Sequence, residues 1–275
     1  MPQFLYHFKM RATLSLYKIA LIRRQDRFIV KFTATMRLFA SRAFSFLFSK
    51  KLNRGEMIVL AALLLGGFTR NIGAVGFSGD ENFWIVSSIR LDAFLAGDFD
   101  SPIWTEDPTI AYEVRPVPSY FAAIGQRLGG VQPRDLPNAY WLWGLSEAEN
   151  AARNAMPTET VLWWSRIPMA VITALGLWGF AVFLGQIHSR FAAYVFTCIC
   201  FNGYFLENLR RAMSEPSVLF FTILVILASR QLMVALRNNS LKLVILWAVV
   251  MGIFSGLAGE SKLTGLACEI GRAHV

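Results

Sequence analysis

The chain has few of the residues that stabilise small secreted or ordinary soluble proteins. Its 275 residues include only three cysteines, which excludes a disulfide scaffold. Charged residues make up 16% of the chain, whereas a soluble domain carries roughly 25%. Hydrophobic residues reach 55% and aromatic residues 14%, which excludes an intrinsically disordered chain. The mean hydropathy of +0.45 predicts a membrane protein.

Acidic residues are nearly missing from the N-terminal segment. Residues 1–54 contain 12 Lys and Arg but one acid, Asp26, whereas the other 221 residues contain 15 Lys and Arg and 17 acids. The net charge of +9 therefore indicates membrane topology and no nucleic-acid partner. Because no part of residues 1–54 is apolar enough to span a bilayer, three interpretations stay open. They are a basic cytoplasmic arm on the membrane surface, a transit peptide, and an over-extended reading frame with Met36 or Met57 as its start.

Five hydrophobic stretches predict an all-α polytopic membrane protein, with spans at about residues 56–76, 161–184, 191–209, 216–236 and 241–257. The short links between the second and third and between the fourth and fifth spans require antiparallel hairpins. The stretch 191–209 is the weakest of the five because it contains Asn202 and Glu207. Arg166 and Arg230 lie near span ends, where long side chains can extend to the interface.

The distribution of Lys and Arg predicts a cytoplasmic N-terminus, with Arg190, Arg237 and Lys242 on the same side. The segment between the first two spans, about residues 77–160, then forms a long outer loop. Residues 70–160 hold six Arg and twelve acids, which agrees with that placement.

Local signals in this outer loop predict short helices lying on the membrane surface. Ser78 and Glu81 form a capping box that opens a helix to about residue 97, and Ser146 and Glu149 form another. A further helix at residues 119–128 should stop at the following glycine pair. Such a platform would suit a lipid head group.

Asp80 and Glu81 are the first candidates for chemistry, because adjacent acids at the membrane surface could bind a metal or supply a general base. The competing interpretation is structural. Glu81 fits the capping box with Ser78, and an acid in the first turn of a helix is stabilised by the macrodipole.

Cations and one further acid are expected at the same outer depth. They are Arg210, Arg211 and Glu215 around the start of the fourth span, Lys262 at the end of the fifth, and Arg115 in the outer loop. Such charges are costly in a membrane unless they are paired or face a wet cavity. They form either a salt-bridged helix corner or a site that handles a phosphate.

Cys198 and Cys200 look like a metal or redox pair only in the printed sequence. Two positions on a helix differ by roughly 200°, so these side chains cannot share a ligand. We predict that both are inert core residues.

Four segments in this order resemble the GT-C superfamily of polyprenyl-phosphate-sugar-dependent glycosyltransferases, of the protein O-mannosyltransferase and lipid A aminoarabinose transferase types. They are FSGDE at 77–81, RPVPSY at 115–120, RAMSEP at 211–216 and GLAGESKLTG at 256–265. The second departs from the family pattern because Val117 interrupts a double proline. Residues 131–159 are longer than the usual family loop, which leaves the acceptor open.

The resemblance implies the N-terminal part of a GT-C fold and an inverting transfer of a sugar from a polyprenyl phosphate to a hydroxyl on protein or lipid. It implies Asp80 as the base, assisted by Glu81 and Glu215. Substrate contacts are implied from Arg115, Tyr120, Glu215 and Lys262. Arg211 joins these only by charge and position. A divalent metal on Asp80 and Glu215 is the one cofactor considered.

The last residues differ from a spanning helix. Residues 270–275 match a translated sequencing-library adapter, so residues 269–275 are expected to be an artefact and the natural frame to continue after Cys268. The predicted domains are thus 1–54, a partial transmembrane domain at 55–268, and this tail.

Two other classes compete with the enzyme. A secondary transporter also places charges near its spans, and a non-catalytic scaffold needs no site at all. The expected location is an integral protein of a bacterial inner membrane.

Overall fold

The computed structural model of the protein describes residues 51–104 and 116–262, and within these ranges all regular structure is helical. Ten α-helices are joined by loops and single 3-10 turns. In chain order they are α1 (Arg54–Thr69), α2 (Gly79–Val86), α3 (Arg90–Ala96), α4 (Pro116–Leu128), α5 (Glu147–Ala152), α6 (Glu159–Ile187), α7 (Arg190–Cys200), α8 (Gly203–Asn208), α9 (Ser214–Arg237) and α10 (Leu241–Ser261).

Within residues 51–104 and 116–262, four helical segments are long and apolar enough to cross a membrane. They are α1 with its following turn (Arg54–Ala74, 21 residues), α6 with 29 residues, α9 with 24 and α10 with 21. At 1.5 Å per residue each of them can cross a hydrocarbon core of about 30 Å. The all-α class is confirmed for the described residues, and the first, second, fourth and fifth predicted spans are helices long and apolar enough to cross a membrane.

The predicted third span is divided, so the count of five spans is not confirmed. The helix α7 has 11 residues and ends at Cys200, and α8 has six. Asn202 separates them because its Oδ1 accepts a hydrogen bond from the Tyr204 N–H at 2.8 Å and caps α8. A side chain that caps a new helix start interrupts the previous helix.

The long helix α6 lies at the centre of the bundle and packs against α1, α4, α7 and α9. Its small inward residues allow this close packing, since Ala170 and Ala174 are fully buried together with Leu64 and Phe68 of α1. Small residues at helix interfaces are what membrane bundles use to bring backbones together.

The helix α4 packs on α6 at the turn where a proline removes a helical hydrogen bond. Pro168 has no N–H, so the Trp164 carbonyl four residues earlier loses its helical donor. The chain of α4 passes directly over this carbonyl at Gly125, where an added Cβ would overlap the oxygen. Gly129 packs in the same way on the Trp164 ring. Two glycines one turn apart therefore let α4 lie against α6.

The outer segment follows its local signals closely. The Ser78 N–H donates to Glu81 Oε2 at 3.1 Å, and the Ser146 N–H donates to Glu149 Oε2 at 2.8 Å. The first box opens α2, which continues through a 3-10 turn into α3 and ends at Gly97 with φ +68°. The second box opens α5.

Two buried asparagines organise the chain between α4 and α6. Asn82 of α2 donates to the carbonyls of Ala139 (3.1 Å) and Ala155 (2.6 Å) and accepts from the Trp141 N–H at 2.8 Å. Asn150 of α5 accepts from the Leu142 N–H at 2.9 Å. Both are fully buried, so this segment is anchored to α2 although it has little regular structure.

Candidate functional site

The hairpin of α9 and α10 brings together two charges that are far apart in sequence. The two helices are antiparallel, so the first turn of α9 lies beside the last turn of α10. Lys262 Nζ donates to Glu215 Oε1 at 2.7 Å, and both side chains stay partly exposed. The pair also suits the helix ends, because acids favour the start of a helix and cations its end.

Asp80 joins this pair in one cleft, which we name the acidic cleft. It has a volume of about 330 Å³ and is lined by Asp80, Phe83, Trp84, Trp143, Met213, Ser214, Glu215 and Lys262. Three of the predicted site residues, from three different helix ends, are therefore brought together.

The surroundings of Asp80 raise the pKa of its carboxyl above the usual value for aspartate. Partial burial is the main cause, followed by the negative charge of Glu215. Lys262 and Arg211 act in the opposite direction, and Glu81 adds a smaller upward effect. A carboxylate with a raised pKa is a stronger base than an ordinary surface aspartate.

Glu81 has different surroundings from its neighbour. Its side chain and that of Arg166 are both 0% exposed and form a bidentate pair, with Nε to Oε1 at 2.8 Å and Nη2 to Oε2 at 2.6 Å. Glu81 Oε1 also accepts from the Ala212 N–H at 2.9 Å. Together with the bond from Ser78, four donors occupy this carboxylate.

Arg166 donates through all five of its side-chain N–H groups, and two of these hydrogen bonds go to Glu81. Beyond Glu81 it donates to the carbonyls of Ile72 (3.2 Å), Val75 (2.7 Å) and Gly76 (3.1 Å). The prediction that Arg166 extends to the interface was wrong, because the guanidinium is enclosed by protein. The pair holds the end of α1, the start of α2 and the approach to α9 on α6, and so positions Asp80.

Arg211 faces a second cleft next to the first, which we name the tryptophan cleft. It has a volume of about 480 Å³ and is lined by Gly76, Phe77, Ser78, Gly79, Trp141, Trp143, Glu147 and Arg211. Trp143 lines both clefts, and they meet at the Gly79–Asp80 peptide. Arg211 Nη2 donates to Glu207 at 3.0 Å, so the salt-bridged corner expected as an alternative also exists.

The remaining predicted residues lie elsewhere or cannot be placed. Tyr120 of α4 does not line the acidic cleft, and its ring packs 5.5 Å from that of Phe94. Burial raises the pKa of Tyr120, while Arg90 lowers it and Glu260 raises it. Arg210 donates to the Gly67 carbonyl of α1. Arg115 lies outside the described residues.

The described residues offer few side chains that could bind a metal ion. Within residues 51–104 and 116–262, no three His, Cys, Asp or Glu side chains are grouped for metal binding. Magnesium often binds through one or two carboxylates together with substrate phosphates, which Asp80 and Glu215 could provide. The Lys262 ammonium already occupies Glu215 Oε1, however, so this carboxylate is engaged in an ion pair and the described residues fit a metal poorly.

Two features of the site and its surroundings were missed by sequence reasoning. Trp143 lines both clefts. The only sequence signal that could have indicated it is its position in the unusually long segment 131–159. Cys198 is exposed whereas Cys200 is buried, so the prediction of two core cysteines was wrong for Cys198. Their separation on the helix agrees with the expectation that they share no ligand.

No protein-family model, curated protein or solved structure matches this chain.

Proposed function

We propose that this chain is a membrane-embedded glycosyltransferase that moves a sugar from a polyprenyl phosphate to an acceptor hydroxyl. The observation that carries this proposal is the grouping of Asp80, Glu215 and Lys262 in one open cleft at the ends of the bundle helices. A base with a raised pKa beside a cation is what transfer from a phosphate leaving group requires.

In the proposed reaction Asp80 removes the proton from the acceptor hydroxyl. The acceptor oxygen forms a bond to the anomeric carbon while the bond from that carbon to the phosphate oxygen breaks. The electron pair leaves with the polyprenyl phosphate, whose second negative charge is stabilised by the Lys262 ammonium. The proton on Asp80 then passes to water. Glu215 orients Lys262, and Glu81 holds the start of α2 without taking part.

The tryptophan cleft is the proposed path of the acceptor. It reaches Asp80 at the Gly79–Asp80 peptide, next to the acidic cleft where the donor phosphate would bind. Its own charged residues are Glu147 and Arg211. Its exposed aromatic surface, with Trp143 66% exposed, suits an acceptor that has an apolar face. Arg211 is then an acceptor contact rather than a contact to the donor phosphate.

The proposal includes the topology expected from the charges. The ends carrying Arg190, Arg237 and Lys242 face the cytoplasm, and the acidic cleft opens on the outer face of a bacterial inner membrane. The proposal also includes a GT-C architecture. It further includes a phosphate contact from Arg115, which lies outside the described residues.

The test compares membranes containing the full chain with those containing Asp80→Asn or Lys262→Met. We expect consumption of a radiolabelled polyprenyl-phosphate sugar to be abolished in Asp80→Asn and reduced to a small residual rate in Lys262→Met. Asp98→Asn is the matched control, because Asp98 is exposed and lines neither cleft. Full activity of Asp80→Asn would refute the assigned base, and substrate flux in proteoliposomes without turnover of the lipid-linked sugar would favour a transporter.

A further inference from the structure

A third cavity lies between the membrane-crossing helices, in the half of the bundle opposite the acidic cleft, and we name it the arginine groove. It has a volume of about 310 Å³ and opens between α6, α9 and α10. Its wall is mainly apolar and aromatic and includes Trp178, Phe183, Leu227, Trp247 and Phe254. A groove of this kind on membrane-crossing helices suits a hydrocarbon chain.

One charge interrupts this apolar surface. Arg230 lies in α9 seven residues before its last residue, Arg237, which is about 10 Å along the helix axis. Its Nη1 donates to Gln186 Oε1 at 3.0 Å, and its guanidinium carbon lies 5.6 Å from the centre of the Phe183 ring. Both partners are neutral, and no acidic side chain of the described residues pairs with Arg230.

A cation at this depth is costly without an anion. Gln186 is the second-last residue of α6, so the bond to it directs the guanidinium toward the end of the bundle. The polar rim formed by Arg230 and Gln186 and the apolar wall then form one continuous surface. The positive charge lies toward the end of the bundle, and the aromatic side chains lie deeper between the helices.

The surrounding charges favour an anionic ligand as well. Six Lys and Arg lie at this bundle end in the described residues, against the single acid Glu56: Lys51, Arg54, Arg190, Arg230, Arg237 and Lys242. Glu56 is already paired with Arg190 at 3.5 Å. Clusters of this kind attract anionic membrane lipids by roughly 1 kcal/mol per cation.

We propose that the arginine groove binds one anionic phospholipid, with its phosphate on Arg230 and one acyl chain along the aromatic wall. Two N–H groups of a guanidinium match two phosphate oxygens. The apolar groove also accommodates an acyl chain, which a phospholipid has and a free phosphate lacks. This site is separate from the proposed sugar transfer, so each proposal can fail without the other.

The test uses the full chain in nanodiscs made from equal parts of phosphatidylcholine and phosphatidylglycerol. Lipids that stay bound after transfer to detergent are identified by native mass spectrometry. We expect one retained phosphatidylglycerol on the wild type, and about tenfold weaker retention for Arg230→Gln, which keeps an amide facing Gln186. Arg153→Gln removes an exposed cation of the outer segment, outside both the groove and this cluster of cations, and should retain the lipid.

A second measurement separates lipid binding from folding. Because a ligand that binds only the folded state raises its stability, phosphatidylglycerol should raise the unfolding temperature of the wild type and of Arg153→Gln but not of Arg230→Gln. Equal retention of the two lipids by the wild type, or unchanged retention by Arg230→Gln, overturns the proposal. So does occupation of the groove by a second copy of the chain, seen as a dimer that excludes lipid.

Discussion

Glu81 and Arg166 form a fully enclosed, bidentate ion pair between α2 and α6, and both side chains are 0% exposed. The residues are 85 positions apart in sequence. Their contact places Asp80, the residue directly before Glu81, at the edge of the acidic cleft. One acid of the pair at residues 80–81 is thus used for structure, and the other remains available for chemistry.

Removing the cation from this pair should destabilise the protein strongly. Arg166→Met leaves the Glu81 carboxylate buried without its partner, and we expect the free energy of unfolding to fall by about 3–5 kcal/mol. Denaturant titration of the detergent-solubilised full chain measures this. The double variant Glu81→Leu/Arg166→Met should recover only part of the loss, because the carbonyls of Ile72, Val75 and Gly76 still lack their donor.

Arg237→Met is the control for that experiment, since Arg237 is an exposed cation at the end of α9. It should change the free energy of unfolding by less than about 0.5 kcal/mol. Equal stabilities of Arg166→Met and Arg237→Met would show that the buried pair contributes nothing to the fold.

The pH dependence of sugar transfer should report the surroundings of Asp80. Since its pKa is raised, the proposed base loses activity as pH falls through a value above the ordinary aspartate pKa of about 3.9. Glu215→Gln removes a charge that raises this pKa, so the acid limb should move to lower pH. Lys262→Met removes a charge that lowers it, so the limb of its residual activity should move to higher pH.

The shifts are read from rate–pH profiles of donor consumption, with Asp98→Asn as the variant that leaves the limb in place. Arg211 and Glu81 also face Asp80 and stay unchanged in both variants. Movement of the limb in the same direction in Glu215→Gln and Lys262→Met would contradict the assignment of Asp80 as the titrating group.

The two clefts should separate donor from acceptor in kinetic measurements. Arg211→Gln changes the tryptophan cleft and should raise about tenfold the amount of acceptor-containing membrane extract needed for half-maximal transfer. The KM for the donor in acceptor-free hydrolysis should stay unchanged. Lys262→Gln should show the reverse, a raised donor KM with an unchanged extract requirement. Identical effects of the two variants would exclude separate paths.

Gly125 should tolerate no side chain. Gly125→Ala places a methyl group on the Trp164 carbonyl, and overpacking of this kind costs about 1–3 kcal/mol. Gly66→Ala is the matched control, because an added Cβ at this helical glycine of α1 meets open space. Thermal unfolding should show a lower midpoint for the first variant and an equal or higher one for the second.

Local signals predicted much of the fold. The capping boxes at Ser78 and Ser146 and the α9–α10 hairpin depend on neighbouring residues and on link length, and each formed as expected. The hairpin alone was enough to predict that Glu215 and Lys262 lie on one side of the bundle. Asn202 had marked the third span as doubtful, and it is the residue that divides it.

Long-range contacts could not be predicted in the same way. Arg166 sits in an apolar run, and nothing near it in sequence indicates that its partners are Glu81 and three carbonyls of the preceding loop. Asn82 reads as an ordinary helical residue, yet it orders the segment that carries Trp143. Such roles depend on which buried donors and acceptors remain unpaired after the helices pack.

The proline in α6 has a consequence for how the sequence can change. A residue with an N–H at position 168 would return a donor to the Trp164 carbonyl and draw it back into its own helix. The carbonyl oxygen would then lie in a different place relative to α4, and the space available to a side chain at position 125 would change. Positions 125 and 168 are therefore expected to be replaced together in related chains, as a linked pair 43 residues apart in sequence.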